Sequence, residues 1–135
     1  MIELYINGRS GRMGTTINDL VNTNDEFKVT ENLTSADVVI DFSHPLSTKK
    51  IINSCLKHNI PMVIGTTGLN KDVLEKIDIA SRTLPIVLAA NMSFGVYQLK
   101  DSLKSFIKKN KNRVNCSIEE THHLKKLDKP SGTAI

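Results

Sequence analysis

His122, His123 and Lys126 stand close together just before the run Pro130-Ser131-Gly132-Thr133. Imidazole and ammonium groups can donate protons, and hydride delivery to an unsaturated carbon builds negative charge on the neighbouring atom. An acid within hydrogen-bond reach of that atom lowers the barrier. If the backbone is extended at the two histidines, their rings point to opposite sides, so that one can act as the acid while the other binds substrate or packs. The residues leave open which of the three is the donor. The Pro-Ser-Gly-Thr run reads as the opening of a helix, whose free N–H groups and two hydroxyls suit a carboxylate. Alone, a histidine pair and a lysine two residues before Asp128 would be ordinary surface groups.

A second group of residues lies at the other end of the chain. Gly8-Arg9-Ser10-Gly11-Arg12-Met13-Gly14 follows an apolar run directly. In such a turn one glycine permits the bend, a second lets the backbone approach a pyrophosphate and a third lets the helix pack on the sheet. Gly8, Gly11 and Gly14 can take these roles, although G-x-x-G-x-x-G departs from the commoner G-x-G-x-x-G spacing. An acid about 20 positions further on is expected at the adenosine ribose hydroxyls, and Glu31 is the candidate. Asn32 follows it, so a cation for the 2′-phosphate of NADP would have to come from Arg9, Arg12 or Lys28. NADH and NADPH both remain open.

The elements that must position these groups alternate along the chain. Apolar and β-branched runs predict strands over 2–6, 27–30, 37–42, 61–64 and 85–90. Helical spacing predicts helices over 15–21, with Ile17, Leu20 and Val21 inward, over 46–58, with Ile51, Ile52, Cys55 and Leu56 inward, and over 71–80, with Val73, Leu74 and Ile77 inward. Asn59 is expected to stop the second helix. This β-α-β rhythm predicts an α/β domain, a doubly wound, Rossmann-like parallel sheet. From residue 93 the texture changes. Val96, Leu99, Leu103, Phe106 and Ile107 mark a fourth helix, 108–112 is polar, and 114–118 reads as a strand that begins a second, α+β domain. The boundary is expected near 91–93, giving a dinucleotide-binding domain over 1–92 and the start of a substrate-binding, catalytic domain over 93–135. The turns at 65–68 and 89–93 end strands on the carboxyl edge, where open α/β sheets bind ligands.

Composition narrows the classes. The chain has 135 residues, 39% hydrophobic and 24% charged, which allows one domain and part of another. No apolar run is long enough to span a membrane, and the N-terminus lacks a signal pattern, so a cytoplasmic protein is expected. Cys55 and Cys116 form no ligand pattern, which predicts reduced thiols and no metal site. The net charge of +4 is concentrated late, with nine basic against four acidic residues over 100–135. Nucleic acid is not the expected partner, because aromatics make up 4% and none interleaves with the basic residues. A small acidic ligand explains the bias more economically.

Five motifs in order carry a resemblance: Gly-Arg-Met-Gly at 11–14, Asp-Val-Val-Ile-Asp-Phe-Ser at 37–43, Gly-Thr-Thr-Gly at 65–68, Ala-Ala-Asn-Met-Ser at 89–93, and Glu-Glu-Thr-His-His-Leu-Lys-Lys-Leu-Asp-Lys-Pro-Ser-Gly-Thr-Ala at 119–134. They resemble those of the 4-hydroxy-tetrahydrodipicolinate reductase (dihydrodipicolinate reductase) family of the diaminopimelate branch of lysine biosynthesis. The resemblance implies NADH- or NADPH-dependent reduction of a small cyclic dicarboxylate, with loss of water. It implies His122 as proton donor, Lys126 as the catalytic lysine, and His123, Ser131, Gly132 and Thr133 as substrate contacts. Cofactor contacts would be Gly8, Arg9, Ser10, Gly11, Arg12, Met13, Glu31, Gly65, Thr66, Thr67, Ala89, Ala90, Asn91 and Met92. It also implies a homotetramer, whose oligomerising sheet this chain is expected to lack. The alternative function is a non-catalytic dinucleotide-binding module or an inactive fragment of such a reductase.

Overall fold

A computed structural model describes residues 1–122, 124 and 130–134. The elements are β1 (Ile2–Asn7), α1 (Arg12–Val21), β2 (Phe27–Val29), β3 (Val38–Asp41), α2 (Pro45–His58), β4 (Met62–Ile64), α3 (Lys71–Ser81), β5 (Ile86–Leu88) and α4 (Phe94–Lys109), with a short 3₁₀ turn at Leu33–Ser35. They form two compact units, Met1–Ala89 and Ala90–Ile135.

The first unit is an α/β domain on one five-stranded sheet. The strand order is β2-β1-β3-β4-β5 and every pair is parallel. Parallel neighbours need crossovers, which the helices supply, and the right-handed sense of those crossovers sends α1 to one face and α2 and α3 to the other. Chain order reverses between β1 and β3. That reversal leaves a crevice outside their carboxyl ends, where Asn7 and Asp41 stand opposite each other in register.

The core lies between the sheet and α2 and α3. Val39, Met62 and Ile64 from the strands meet Ile51, Ile52 and Cys55 of α2 and Val73, Ile77 and Ala80 of α3, all buried. Local signals set the helix ends. Pro45 occupies the first turn of α2, and Asn59 stops the helix in a left-handed conformation with φ 55°. Asn70 caps α3, its Oδ1 accepting the Val73 N–H at 3.0 Å.

The fold differs from the sequence expectation in several places. α1 starts at Arg12, three residues earlier than the apolar spacing alone indicated, because the glycine turn leads straight into it. Leu20, Leu56 and Leu74, expected inward, are exposed. Each lies on the flank of a helix whose buried stripe is only about two residues wide per turn.

In the second unit, Ser93 caps α4, accepting the Val96 N–H on its Oγ. The helix runs on through Lys108 and Lys109, expected in a polar stretch beyond it. Their cations suit the negative end of the helix dipole. No residue of α4 is buried, and Phe94, Tyr97, Leu99, Leu103 and Phe106 are all exposed. The strand expected at 114–118 does not form. A strand is completed by ladder bonds to a neighbour, and among the described residues of this unit there is none to pair with.

Candidate functional site

The glycine turn is built by close backbone approaches. Gly8 has φ +89°, and a Cβ there would stand 2.6 Å from the Phe42 carbonyl oxygen. At Gly14 a Cβ would lie 2.2 Å from the Gly8 carbonyl oxygen, so α1 can sit this close to the turn only with glycine at that position. Gly11 differs from both. Its N–H bonds the Gly8 carbonyl at 2.9 Å and closes the turn, while a Cβ would meet only that oxygen, at 3.3 Å. Gly11 is also the N-cap of α1, and no side chain caps it. The first-turn N–H groups of a ten-residue helix thus have no side-chain cap and can serve an external acceptor. This cradle fits the pyrophosphate of a dinucleotide. Arg9, Ser10, Arg12 and Met13 are all exposed around it.

Glu31 lies within reach of the same loop. The Arg9 guanidinium donates to its Oε1 at 3.1 Å, so the acid expected at a ribose and a cation that could meet a 2′-phosphate sit side by side. Glu31 is almost wholly exposed and Arg9 about half, which makes the pair weak and open to exchange for a ligand.

At the ends of β1 and β3 lies a polar cluster that pattern reading did not single out. Asp41 is completely buried. Its Oδ1 accepts from Asn7 Nδ2 at 2.8 Å and from the Ser43 hydroxyl, and its Oδ2 accepts from the Thr48 hydroxyl at 2.6 Å. The Asn7 amide also donates to Ser43 Oγ at 2.9 Å, and its Oδ1 accepts from Ser47 at 3.1 Å. A signal was present, since an acid inside a run of β-branched residues must find donors once buried. Nearby Cys55 feels this cluster: burial first, and the Asp41 charge second, push its thiol up to about 11.

Gly65 and Thr66 close the third loop of this unit, and both are buried. The Phe42 ring covers Gly65, where a Cβ would meet the ring at 2.1 Å. The Thr66 hydroxyl accepts the Ser43 N–H at 2.9 Å, so this side chain serves the loops, while Thr67 is exposed. Ala89 ends the first unit.

Ala90, Asn91 and Met92 belong to the second unit, where they meet the Ser-Gly-Thr run. Asn91 Nδ2 donates to Thr133 Oγ1 at 2.7 Å. A Cβ on Gly132 would stand 2.3 Å from that of Ala90, so this contact requires glycine. Ser131 does not present its own donors freely. Its N–H donates to Glu120 Oε1 at 2.7 Å and its hydroxyl to Glu120 Oε2. Those two bonds, with a smaller contribution from His122, hold the Glu120 carboxyl down at about 2. His122 Nε2 lies 3.2 Å from Glu120 Oε2. The expected helix opening is here a single turn, closed by Ala134 N–H on the Ser131 carbonyl at 3.0 Å. Sequence reasoning gave Glu120 no role, since bonds spanning eleven residues depend on how the chain folds back. His123 and Lys126 lie outside the described residues.

The chain resembles known proteins throughout. A family model described as dihydrodipicolinate reductase, N-terminus, matches residues 28–92. A 4-hydroxy-tetrahydrodipicolinate reductase of Rickettsia rickettsii is 37% identical over all of this chain and 62% of its own length. That of Clostridium tetani is 36% identical over all of this chain and 61% of its own. A solved dihydrodipicolinate reductase from Paenisporosarcina sp. TG-14, described as dipicolinate-bound, superposes with TM-score 0.72 at 27% identity. It covers 99% of this chain and 63% of that one. The chain thus spans about three-fifths of the relatives' length.

Proposed function

We propose that this chain, related along its whole length to the 4-hydroxy-tetrahydrodipicolinate reductases, carries the dinucleotide site of such an enzyme and part of its substrate site. The reaction would be NAD(P)H-dependent reduction of 4-hydroxy-tetrahydrodipicolinate to tetrahydrodipicolinate in lysine biosynthesis. The observation that carries the reading is the uncapped α1 N-terminus behind the Gly8, Gly11 and Gly14 turn, at the strand-order reversal of a parallel sheet. A nicotinamide supplies a hydride when bound there. Residues 8–13 would hold the pyrophosphate and residues 65–67 and 89–92 the nicotinamide end. Glu31 would accept from the ribose hydroxyls of NADH, and Arg9, freed from Glu31, would meet the 2′-phosphate of NADPH. Their adjacency supports use of both cofactors.

His122 would give the proton that quenches the charge left by hydride delivery, with Lys126 as a second cationic group beside the substrate. His123, Ser131, Gly132 and Thr133 would hold the substrate carboxylates, which requires Glu120 to yield Ser131 or to share it. In the cell we place the protein in the cytoplasm, as a homotetramer when the family's oligomerising sheet is present. In the whole protein, His122→Ala should lower turnover by about 100-fold, the lower range of general-acid effects, and leave NADH affinity nearly unchanged. Steady-state kinetics beside a cofactor titration checks this. Unchanged turnover removes the acid assignment.

A further inference from the structure

We infer that Asp41 is a positioning residue of the dinucleotide site, the buried carboxylate that fixes the glycine turn relative to the two loops beside it. The inference rests on the dinucleotide reading above and deepens it. Asp41 is fully buried, yet among the described residues the groups that donate to its side chain are neutral: the Asn7 amide and the hydroxyls of Ser43 and Thr48. A buried carboxylate whose described donors are all neutral is costly unless its lone pairs are used well, so this one is held for what it organises.

What it organises is the carboxyl edge at the reversal point. Asn7 immediately precedes Gly8, and it is gripped on both faces of its amide, by Asp41 and Ser43 on one side and by Ser47 on the other. The main chain repeats the connection, with Phe42 N–H donating to the Asn7 carbonyl at 3.2 Å and Gly65 N–H to the Asp41 carbonyl at 2.8 Å. Ser43 then passes its N–H to Thr66 at 2.9 Å. The β1 turn and the β3 turn with the start of α2 are therefore tied directly to one carboxylate, and the β4 turn joins them through the Asp41 main-chain carbonyl and the Ser43 N–H. Each of the donors can bond simultaneously only because a carboxylate accepts on both oxygens and donates on neither. An asparagine would turn an N–H₂ group toward hydroxyls or an amide already pointing inward. A loop that must place N–H groups against a pyrophosphate loses affinity when its support loosens, even where no supporting atom touches the ligand.

The test uses the 135-residue chain with NADH and NADPH as probes. Cofactor affinity is measured by calorimetry, and hydrogen exchange of the Gly11 and Thr15 amides is followed without ligand. Asp41→Asn should bind at least about tenfold more weakly and exchange Gly11 faster. Thr48→Val, which removes one hydroxyl and keeps the shape, should show the same change at smaller size and guards against failure of the first variant to fold. Ile77→Val, in the core away from these loops, should lower the melting temperature without moving affinity or Gly11 exchange. Wild-type binding with unchanged affinity in both Asp41→Asn and Thr48→Val overturns the inference alone. Loss of affinity in Ile77→Val in proportion to its stability overturns it too, since the effect would then be general softening. Absence of binding by the wild type removes the dinucleotide reading, and the inference with it.

Discussion

The two units satisfy their side chains in opposite ways. In the first, a carboxylate is fully buried among donors and the apolar faces of α2 and α3 close on a sheet, leaving Val39, Ile52, Cys55, Met62 and Ile64 almost without exposure. In the second, α4 has the same amphipathic texture and buries nothing. Its polar order comes instead from short clasps, Asn91 to Thr133 and Glu120 to Ser131. Amphipathic spacing makes a helix, but burial requires a partner layer, and among the described residues only the first unit supplies a sheet. The first unit is therefore a framework that can hold a loop in place, whereas among the described residues of the second no apolar side chain is buried.

Core truncation should separate the two units most sharply. Ile52→Ala removes a side chain with no exposure and should cost about 3 kcal/mol in denaturant unfolding. Leu103→Ala, on α4 and half exposed, should fall within about 0.5 kcal/mol. Equal losses would mean that α4 is packed as tightly as α2, and the contrast would fail.

The thiols report the same difference more gently. Cys116 is exposed and should react with a disulfide reagent in the native protein, whereas Cys55 should wait for unfolding. Because burial raises the Cys55 thiol to about 11, its contribution to stability is complete below the ordinary thiol range and is lost as pH rises through about 11. Fast labelling of both thiols in the native state would show that the first unit opens readily.

The smallest expected effect is at Glu120. Its carboxyl is depressed from 4.5 to about 2, chiefly by Ser131, so the clasp contributes above the ordinary carboxylate range and is lost only as pH falls through about 2. Carbon-detected NMR titration of the Glu120 carboxyl checks this. A midpoint near 4.5 would mean that Ser131 is free for a ligand throughout.

Legibility followed the range of the interactions involved. Strand and helix order over 1–89 could be read because the apolar spacing of those segments matches the elements they form, and Pro45, Asn59 and Asn70 mark ends by local chemistry. The roles of Gly8 and Gly14 were legible for the same reason, their spacing being set by one turn. The run 114–118 carried strand-forming residues, but strand formation depends on a neighbour that the run itself does not encode. The two acids that gather the most side-chain and main-chain donors, Asp41 and Glu120, were visible as residues and not as bonding centres. Their donors come from positions as far apart as Asn7 and Thr48, or Glu120 and Ser131, and only the folded chain brings those together.

An amide-resolved NMR titration of the 135-residue chain with NADH and then NADPH decides whether the turn at residues 8–14 is a dinucleotide cradle. Saturable shifts centred on the amides of residues 8–14 are expected, with Glu31 and residues 65–67 also moving. No shift with either cofactor, or shifts confined to the basic residues of α4, would contradict it.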